Sequence, residues 1–219
     1  MLHKKKDFWA GIGCVLAFIL WTIAVRFLDV QAIGPQGSTV GLATLNGLAR
    51  EWFGNNLLLY IVTDWLGLVP IGVAFGFALL GLVQWIRRKS ICKVDYSLFV
   101  LGGFYLVVIA VYVFFEMVVI NYRPVLIEGY LETSYPSSTT MLVTCVMPTA
   151  IMQLRARIKN ERLSRCVTVG IVIFTIFMVV GRIISGVHWI TDIIGGALIS
   201  AGLVLIYHSV STLEQKKDA

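Results

Sequence analysis

Charged side chains are scarce in this sequence. They make up 14% of its 219 residues, whereas soluble domains carry about 25%. The hydrophobic fraction is 58%, and the mean hydropathy is +0.85. A folded chain of this size still exposes much of its surface, so it could not hide so much apolar area from water. These values exclude a soluble globular protein and a disordered chain, and they predict that a lipid bilayer surrounds most of the residues.

Cysteine is also rare. The four cysteines include no CxxC pair and no spacing typical of metal ligands. A disulfide-stapled protein is therefore excluded, and neither a metal ion nor a cofactor is predicted. We expect the cysteines to be small buried apolar residues: Cys14, Cys92, Cys145 and Cys166.

The basic residues exceed the acidic residues by six, and they occur in clusters. Apolar stretches separate the clusters, and no aromatic side chains are interleaved with them as a base-stacking surface requires. The distribution therefore excludes nucleic acid as a partner and favours a membrane protein. The clusters are Lys4–Lys6, Arg87–Lys93, Arg155–Arg165 and Lys216–Lys217.

Six apolar stretches are long enough to cross a hydrocarbon core of ~30 Å, which requires about 20 residues. They predict an all-α integral membrane bundle of six transmembrane helices, forming one domain over residues 1–219. The second stretch is long, and we expect it to be tilted or broken at Pro70. The fourth stretch is short and needs residues from its flanks. The stretches are residues 8–28, 56–86, 97–120, 139–154, 166–186 and 190–208.

The first stretch follows a Lys triplet, as the apolar part of a secretory signal peptide does. However, no small-residue cleavage site follows Arg26 and Asp29. We therefore expect a retained transmembrane helix.

The positive-inside rule sets the expected orientation, since cytoplasmic segments carry an excess of Lys and Arg. With a cytoplasmic amino terminus, alternation of the six stretches places fourteen of the eighteen basic residues inside. The sequence thus predicts a multi-pass protein of the plasma membrane with both termini in the cytoplasm. The cytoplasmic segments are residues 1–7, 87–96, 155–165 and 209–219.

The first outer segment, residues 29–55, has apolar residues at helical spacing after a Gly/Pro/Ser patch. Two interpretations remain open, a short helix in the outer membrane interface and an early start of the second transmembrane helix. The spaced residues are Leu42, Leu45, Leu48, Trp52 and Phe53.

Four charged or titratable residues lie near the outer ends of the predicted helices, where charge is costly unless it is used or paired. His188 and Asp192 are four residues apart, so on a helix they share one face. The carboxylate can then accept a hydrogen bond from one imidazole nitrogen and leave the other as a nucleophile or base. Arg123 and Arg182 carry planar guanidinium groups suited to phosphate.

The run from Tyr135 to Thr140 lies where the fourth helix is predicted to begin. Its hydroxyl groups and the free amides of a helix amino end together form a suitable anion site. Each feature also has a purely structural interpretation, namely a capping His, an arginine that snorkels, and an ordinary helix start. Asp64 and Glu116 lie within the second and third stretches and could pair with an arginine.

Together these residues resemble the type 2 phosphatidic acid phosphatase superfamily, whose motifs are K-x6-RP, PSGH and SR-x5-H-x3-D. The first motif is similar to Glu116 through Arg123-Pro124, with Glu in place of Lys. The second resembles Ser134 through Thr139, with Ser for Gly and Thr for His. The third resembles Gly181 through Asp192, with Gly for Ser. The resemblance covers about residues 56–208.

The resemblance implies a membrane lipid phosphatase in which His188 attacks phosphorus and forms a phosphohistidine. It implies that Asp192 orients His188 and that Arg123 and Arg182 hold the phosphoryl oxygens. Substrate phosphate would also contact Ser137, Ser138 and Thr139 and nearby backbone amides, on the outer face of the membrane.

Two departures from the family pattern bear on activity. Glu116 replaces a cation by an anion, which would repel phosphate unless it faces away or pairs with an arginine. Thr139 cannot act as a general acid at neutral pH, and such a catalyst is typically worth about 10²–10⁴-fold.

Three functions remain open. A lipid diphosphate or monophosphate phosphatase is favoured, with polyprenyl diphosphate preferred because a phosphate leaving group needs little protonation. A second is an impaired family member that binds, transports or senses a lipid phosphate. A third is a serine hydrolase with Ser137 or Ser138 as nucleophile, which two nearby arginines disfavour.

Overall fold

The computed structural model describes residues 2–211, with side chains from Lys5 onward, and this part of the chain is built from α-helices and two short 3₁₀ turns. The predicted all-α class is confirmed. The Lys216–Lys217 cluster lies outside the described residues. The helices are α1 (Leu2–Phe27), α2 (Ala43–Phe53), α3 (Leu57–Leu66), α4 (Leu68–Arg88), α5 (Tyr96–Met117), α6 (Ser138–Arg157), α7 (Glu161–Ser185) and α8 (Ile190–Ser211).

Five segments of the described chain are long and apolar enough to cross a membrane, namely α1, α3 with α4, α5, α7 and α8. The remaining predicted stretch, the fourth, corresponds to α6, which has 20 residues but a lower apolar content. This helix is enclosed by α4, α5, α7 and α8. Its polar residues Thr140, Thr149 and Gln153 are buried among those helices, so they do not face lipid.

The second predicted stretch is broken, and the break lies at Gly67 between α3 and α4. Pro70 follows three residues later. A proline ring clashes with the carbonyl of the residue four positions earlier, here Leu66, so the regular helix ends at that residue.

Helix α2 is separate from α3, which excludes the early start of the second transmembrane helix. Gly54 ends α2 with φ of 65°, a value that favours glycine. Asn56 then caps α3, because its side-chain oxygen accepts a hydrogen bond of 3.0 Å from the Leu59 amide.

The cysteines differ from the sequence prediction. Only Cys145 is buried, whereas Cys92 and Cys166 are exposed on the protein surface. Cys166 lies near the start of α7, directly after Arg165.

The basic clusters within the described residues lie at one end of the bundle. There Asp95 pairs with Arg88 at 3.0 Å and with Arg157 at 3.4 Å. The opposite end consists of the α5–α6 connection, the start of α6, and the short link between α7 and α8. All candidate site residues lie at or near this second end.

Helix α1 packs against α8, and its contacts extend to the end of the bundle that contains the candidate site residues. Close approach of the two helices requires Gly11 and Gly202, since a Cβ atom on Gly202 would lie 3.0 Å from the Gly11 carbonyl oxygen. Nearer the site, the Thr22 hydroxyl lies 2.7 Å from the Tyr135 hydroxyl. The Trp21 indole also donates to the Thr191 carbonyl at 3.0 Å.

Candidate active site

His188 lies in the link between α7 and α8, two residues before α8 begins. The link turns at Gly186, where φ is 67° and a Cβ atom would lie 2.3 Å from the Gly54 carbonyl oxygen. Only glycine fits that position. The turn directs His188 into the bundle, and the residue is 5% exposed.

The hydrogen bonds of His188 define its tautomer. Its Nδ1 atom lies 3.2 Å from the backbone oxygen of Ser134 and 3.0 Å from the Ser134 hydroxyl. A carbonyl oxygen can only accept, so we assign the proton to Nδ1. The Nε2 atom then carries a free lone pair. It is buried and has no hydrogen-bond partner among the described residues.

Asp192 is fully buried and contacts His188 through Ser134. The Ser134 hydroxyl donates to Asp192 Oδ2 at 2.5 Å, whereas His188 Nδ1 lies 3.9 Å from that oxygen. This differs from the direct His188–Asp192 hydrogen bond that a shared helix face suggests, because His188 precedes the helix. As the third residue of α8, Asp192 accepts a bond of 2.9 Å from the Trp189 amide, as in a capping box.

Asn121 is a further partner of Asp192, and its side-chain amide donates to Oδ1 at 3.3 Å. Neither Asn121 nor Ser134 received a role from the sequence. Ser134 is the first residue of the run that resembles the second motif. This position is the sequence signal that could have identified it. Asn121 lies in the polar α5–α6 connection, where no pattern distinguishes it from its neighbours.

Arg182 lies near the end of α7 and is 1% exposed. Its Nη2 atom donates to Asp64 Oδ1 at 3.0 Å and to the Thr139 hydroxyl. The guanidinium group also lies over the Tyr60 ring, 5.4 Å from its centroid. The Nε and Nη1 atoms are buried without hydrogen-bond partners among residues 5–211. Arg182 therefore has N–H groups left for a ligand.

Arg123 lies in the α5–α6 connection, and its backbone amide donates to the Glu132 carbonyl at 3.0 Å. Its Nε atom lies 3.1 Å from Glu132 Oε2, although the angle does not make a hydrogen bond. Its Nη1 atom is also buried and unbonded in the described part of the chain. Burial, reinforced by the positive charges of Arg123 and Arg182, lowers the pKa of His188 well below its ordinary value.

A comparison with known protein families gives one match. Residues 117–216 match the family model described as the PAP2 superfamily. This part of the chain is therefore similar to the PAP2 superfamily. The matched residues include Arg123, Arg182, His188 and Asp192. None of the curated proteins matches the chain.

The fold is similar to that of a transmembrane PAP2 type phosphatidylglycerolphosphate phosphatase from Bacillus subtilis. The two structures align with a TM-score of 0.54 over 94% of this chain and 96% of that chain, at 18% sequence identity. The protein therefore has the fold of a PAP2 membrane phosphatase.

The run that resembles the second family motif leads into the start of α6. The Ser137 amide donates to the Asp192 carbonyl at 3.0 Å, and the Thr140 hydroxyl donates to Ser137 Oγ at 3.0 Å. Neither Ser137 nor Ser138 is hydrogen-bonded to His188 in the described part of the chain, so neither serine is paired with the imidazole as a serine nucleophile requires. The amides of the first turn of α6 remain available to an anion.

The departure at Gly181 from the PAP2 pattern has a packing reason. A Cβ atom on Gly181 would lie 2.7 Å from Thr63 Cγ2, because α3 crosses α7 closely at this point. The serine of the family pattern does not fit beside Thr63 unless one of the helices moves.

The departure at Glu116 is not compensated by an arginine. The side chain is exposed at the end of α5, and it lines a cleft together with Arg123 and His188. The Thr133 hydroxyl donates to Glu116 Oε2 at 2.7 Å, and no ion pair of Glu116 occurs within residues 5–211. Of the two candidate carboxylates, only Asp64 pairs with an arginine.

Proposed function

We propose that this protein hydrolyses a lipid phosphate or diphosphate through a phosphohistidine at His188. The observation that carries the proposal is the buried Nε2 atom of His188, which has no hydrogen-bond partner among residues 5–211 and whose lone pair is free because Nδ1 holds the proton. Arg123 and Arg182 both act electrostatically on this imidazole, and each keeps N–H groups that have no hydrogen-bond partner in the described part of the chain. A buried guanidinium with unused donors is suited to the planar oxygens of a phosphoryl group.

In the proposed reaction, His188 Nε2 attacks phosphorus as the bond to the leaving oxygen breaks, and the bond electrons move to that oxygen. Water then hydrolyses the phosphohistidine and releases phosphate. Arg123, Arg182 and the first amides of α6 stabilise the developing charge on the phosphoryl oxygens. Ser134 and Asp192 hold the imidazole in the required tautomer and orientation.

Thr139 bears on the leaving group. It occupies the position of the family general acid and accepts a hydrogen bond from Arg182. A threonine hydroxyl does not protonate an alkoxide at neutral pH, but a phosphate leaving group needs no such help. A lipid diphosphate such as polyprenyl diphosphate is therefore the favoured substrate, ahead of a lipid monophosphate with an ordinary alcohol.

An apolar cavity supports a lipid substrate. It has a volume of about 470 Å³ and is lined mainly by α4, α5 and α6, with Ser138 and Thr139 at its polar side. Apolar residues form most of its wall, including Leu68, Ile71, Val108, Ile109 and Leu142. A tail in this cavity would bring its phosphate to the start of α6.

We place the reaction on the outer face of the plasma membrane, with both termini in the cytoplasm. The support is the distribution of charge, since the basic clusters of the described residues lie at the end of the bundle opposite to His188.

The direct test is phosphate release by the purified protein in detergent. The panel contains polyprenyl diphosphate, polyprenyl monophosphate, phosphatidic acid and phosphatidylglycerolphosphate. Wild type should release phosphate, and His188→Ala should abolish release while lipid binding persists. His208→Ala, at the other end of α8, is the matched control and should retain activity. Release by His188→Ala at the wild-type rate contradicts the mechanism.

The Thr139 position also favours a second candidate function, a lipid-phosphate binder or transporter that has lost turnover. That function predicts no release from any member of the panel, together with saturable binding that Arg182→Ala weakens.

A further inference from the structure

Asn121 connects three parts of the chain around the start of α8. Its side-chain amide donates to Asp192 Oδ1 at 3.3 Å, and its side-chain oxygen accepts from the Gly41 amide at 3.3 Å. Its backbone oxygen accepts from the Ser134 amide at 3.0 Å. Asn121 is 1% exposed, although it lies in a connection between helices. A buried amide with both ends bonded has one defined orientation.

The orientation of this amide follows from Gly41. A backbone N–H can only donate, so the oxygen of Asn121 faces Gly41 and its NH2 group faces Asp192. Gly41 is itself held closely, since a Cβ atom there would lie 1.5 Å from the Val25 carbonyl oxygen. Its own carbonyl accepts from Asn46 Nδ2 at 2.8 Å. The α1–α2 connection, which lies outside the residues that match the family model, therefore fixes a donor that points at Asp192.

The two oxygens of Asp192 have different partners. Oδ2 accepts from the Ser134 hydroxyl and from the Trp189 amide. Oδ1 accepts from Asn121, and from the Thr191 hydroxyl at the longer distance of 3.5 Å. Without Asn121, this long bond alone would hold Oδ1 among the described residues, and the carboxylate could turn about its last side-chain bond. Oδ2 would then leave the position in which Ser134 connects it to the imidazole.

We propose that Asn121 is a positioning residue for the reaction at His188. Its amide holds the carboxylate of Asp192 with Oδ2 turned towards Ser134. The inference rests on the proposed function, and it adds a residue to the support of the imidazole. Asn121 lines neither the cleft at His188 nor the apolar cavity, so it acts through Asp192 and not on the lipid.

Asn121→Asp isolates the contact with Asp192. A carboxylate still accepts from the Gly41 amide, and the backbone bond with Ser134 does not change. An ionised carboxyl, however, brings an oxygen to the place of the Nδ2 atom, 3.3 Å from Asp192 Oδ1. Like charges at this distance raise the pKa of the new carboxyl above its ordinary value of about 3.9. When the new carboxyl is protonated, its O–H group can donate to Asp192 as the amide does.

The surroundings of Asp192 leave the new carboxyl as the group that titrates near neutral pH. In the described chain, α1 and α2 contribute neutral side chains there, which bind the neighbouring Thr191. Burial lowers the pKa of His188 and raises that of Tyr135, so neither group titrates between about pH 6.5 and 9. The charged or titratable groups that act on Asp192 are His188, Arg123 and Tyr135.

The experiment measures kcat and KM of the full protein in detergent as a function of pH, with the lipid that the wild type hydrolyses fastest. Asn121→Ala should lower kcat about 10–100-fold, the loss expected for a hydrogen bond to a buried charge, and leave KM near the wild-type value. Relative to the wild type, Asn121→Asp should approach full kcat at about pH 5 and lose about tenfold or more by about pH 8, as the new carboxyl ionises.

Asn56→Asp is the matched control. Asn56 accepts from the Leu59 amide at the start of α3, and aspartate is an equally good cap there. This variant should keep the wild-type pH profile.

Thermal unfolding in detergent gives a second measurement, which does not need turnover. The stability of Asn121→Asp relative to the wild type should fall as the pH rises through the raised pKa of the new carboxyl, because the folded state resists its ionisation. Asn56→Asp should show no such fall. The kcat and KM of Asn121→Ala carry the test if Asn121→Asp does not stay folded at neutral pH.

A purely structural role of Asn121 predicts a loss that does not depend on pH, since the bonds with Gly41 and Ser134 persist in Asn121→Asp. Such a constant loss, an unchanged kcat in Asn121→Ala, or the same pH dependence in Asn56→Asp overturns the inference while the proposed function stands. Absence of phosphate release by the wild type overturns the proposed function and the catalytic role of Asn121 with it. The pH dependence of unfolding then decides whether the amide faces Asp192.

Discussion

Ser134 Oγ donates a hydrogen bond of 2.5 Å to Asp192 Oδ2, and this bond joins the buried carboxylate to the imidazole of His188. The backbone oxygen of the same serine accepts from His188 Nδ1. One residue therefore fixes the tautomer of His188 through its main chain and contacts Asp192 through its side chain. In the proposed reaction, the carboxylate would stabilise the positive imidazole that forms when Nε2 attacks phosphorus, and Ser134 would transmit this effect.

Ser134→Ala should lower kcat by about 10–100-fold, the loss expected when a hydrogen bond to a buried charged group is removed. The backbone acceptor remains, so the tautomer persists and binding of the lipid should change little. Ser200→Ala is the matched control, since Ser200 is also buried but its hydroxyl donates to the backbone carbonyls of Met141 and Gly196 rather than to a carboxylate. In a double-mutant cycle, Ser134→Ala and Asp192→Asn should be strongly non-additive. Additive effects would show that the two residues act independently.

The lowered pKa of His188 predicts an unusual acid limit of activity. Burial is the largest cause of this lowered pKa, and the positive charges of Arg123 and Arg182 are the next. A lowered pKa means that the neutral, nucleophilic form persists as the pH falls. The acid limb of kcat/KM, which reports the free enzyme, should therefore lie below the ordinary histidine value of about 6.5.

Arg123→Ala removes one positive charge beside His188 and should move this limb to higher pH, in addition to weakening phosphate binding. Arg50→Ala is the control, because it removes a positive charge near Trp189 instead. It should leave the acid limb of the pH profile at its wild-type position. An acid limb at or above pH 6.5 in wild type contradicts the assigned environment of His188.

Helix lengths and positions could be predicted from the sequence because apolar runs of about 20 residues have few alternatives in a bilayer. The prediction was weaker where tertiary packing decides whether a helix faces lipid or other helices. Helix α6 carries Thr149 and Gln153 because other helices enclose it, and hydropathy alone cannot show that. The spacing of His188 and Asp192 suggested one helix face, whereas Gly186 ends α7 and leaves His188 in a link.

Two acidic side chains show the same limit of prediction from sequence. Asp64 and Glu116 are both acidic residues within apolar stretches, and nothing in the local sequence distinguishes them. The structure separates them, because α3 crosses α7 at Arg182 and brings only Asp64 to an arginine. Such contacts between residues more than a hundred positions apart depend on the packed bundle.

The close crossing of α3 and α7 makes a prediction about stability. Gly181→Ser places a Cβ atom 2.7 Å from Thr63 Cγ2. We expect thermal unfolding in detergent to show a loss of about 1–3 kcal/mol, the usual cost of overpacking. Thr63→Ser deletes Cγ2 but keeps the hydroxyl that donates to the Leu59 carbonyl, so it should restore most of the loss. Equal destabilisation in the double variant would show that α7 moves instead.

The proposed orientation predicts which residues are accessible from outside the cell. In a variant without the four native cysteines, Tyr130→Cys in the α5–α6 connection should react with an impermeant thiol reagent on intact cells. Lys159→Cys, between α6 and α7 at the opposite end, should react only after lysis. Labelling in the reverse order contradicts the orientation and, with it, the outward-facing site.

Thr139 gives the sharpest test of the proposed chemistry. Without a proton donor, expulsion of an alkoxide from an ordinary lipid monophosphate should be slow, so wild type should prefer matched diphosphates. Thr139→His should raise the monophosphate rate more than the diphosphate rate, by about tenfold or more if the imidazole reaches the bridging oxygen. Arg182, which now donates to the Thr139 hydroxyl, would lie beside the new imidazole and favour its neutral form.

Glu116 complicates this comparison, because its carboxylate lines the cleft at Arg123 and His188 and repels any phosphate bound there. The double variant Thr139→His with Glu116→Lys restores both family residues and should give the larger gain on simple monophosphates. Thr139→Ser is the control, since it keeps the hydroxyl but adds no proton donor. Equal wild-type rates on matched mono- and diphosphates would show that another group protonates the leaving oxygen. Asp64 would then be the first residue to test, because it lines the same cavity as Thr139 and shares the Arg182 Nη2 donor with it.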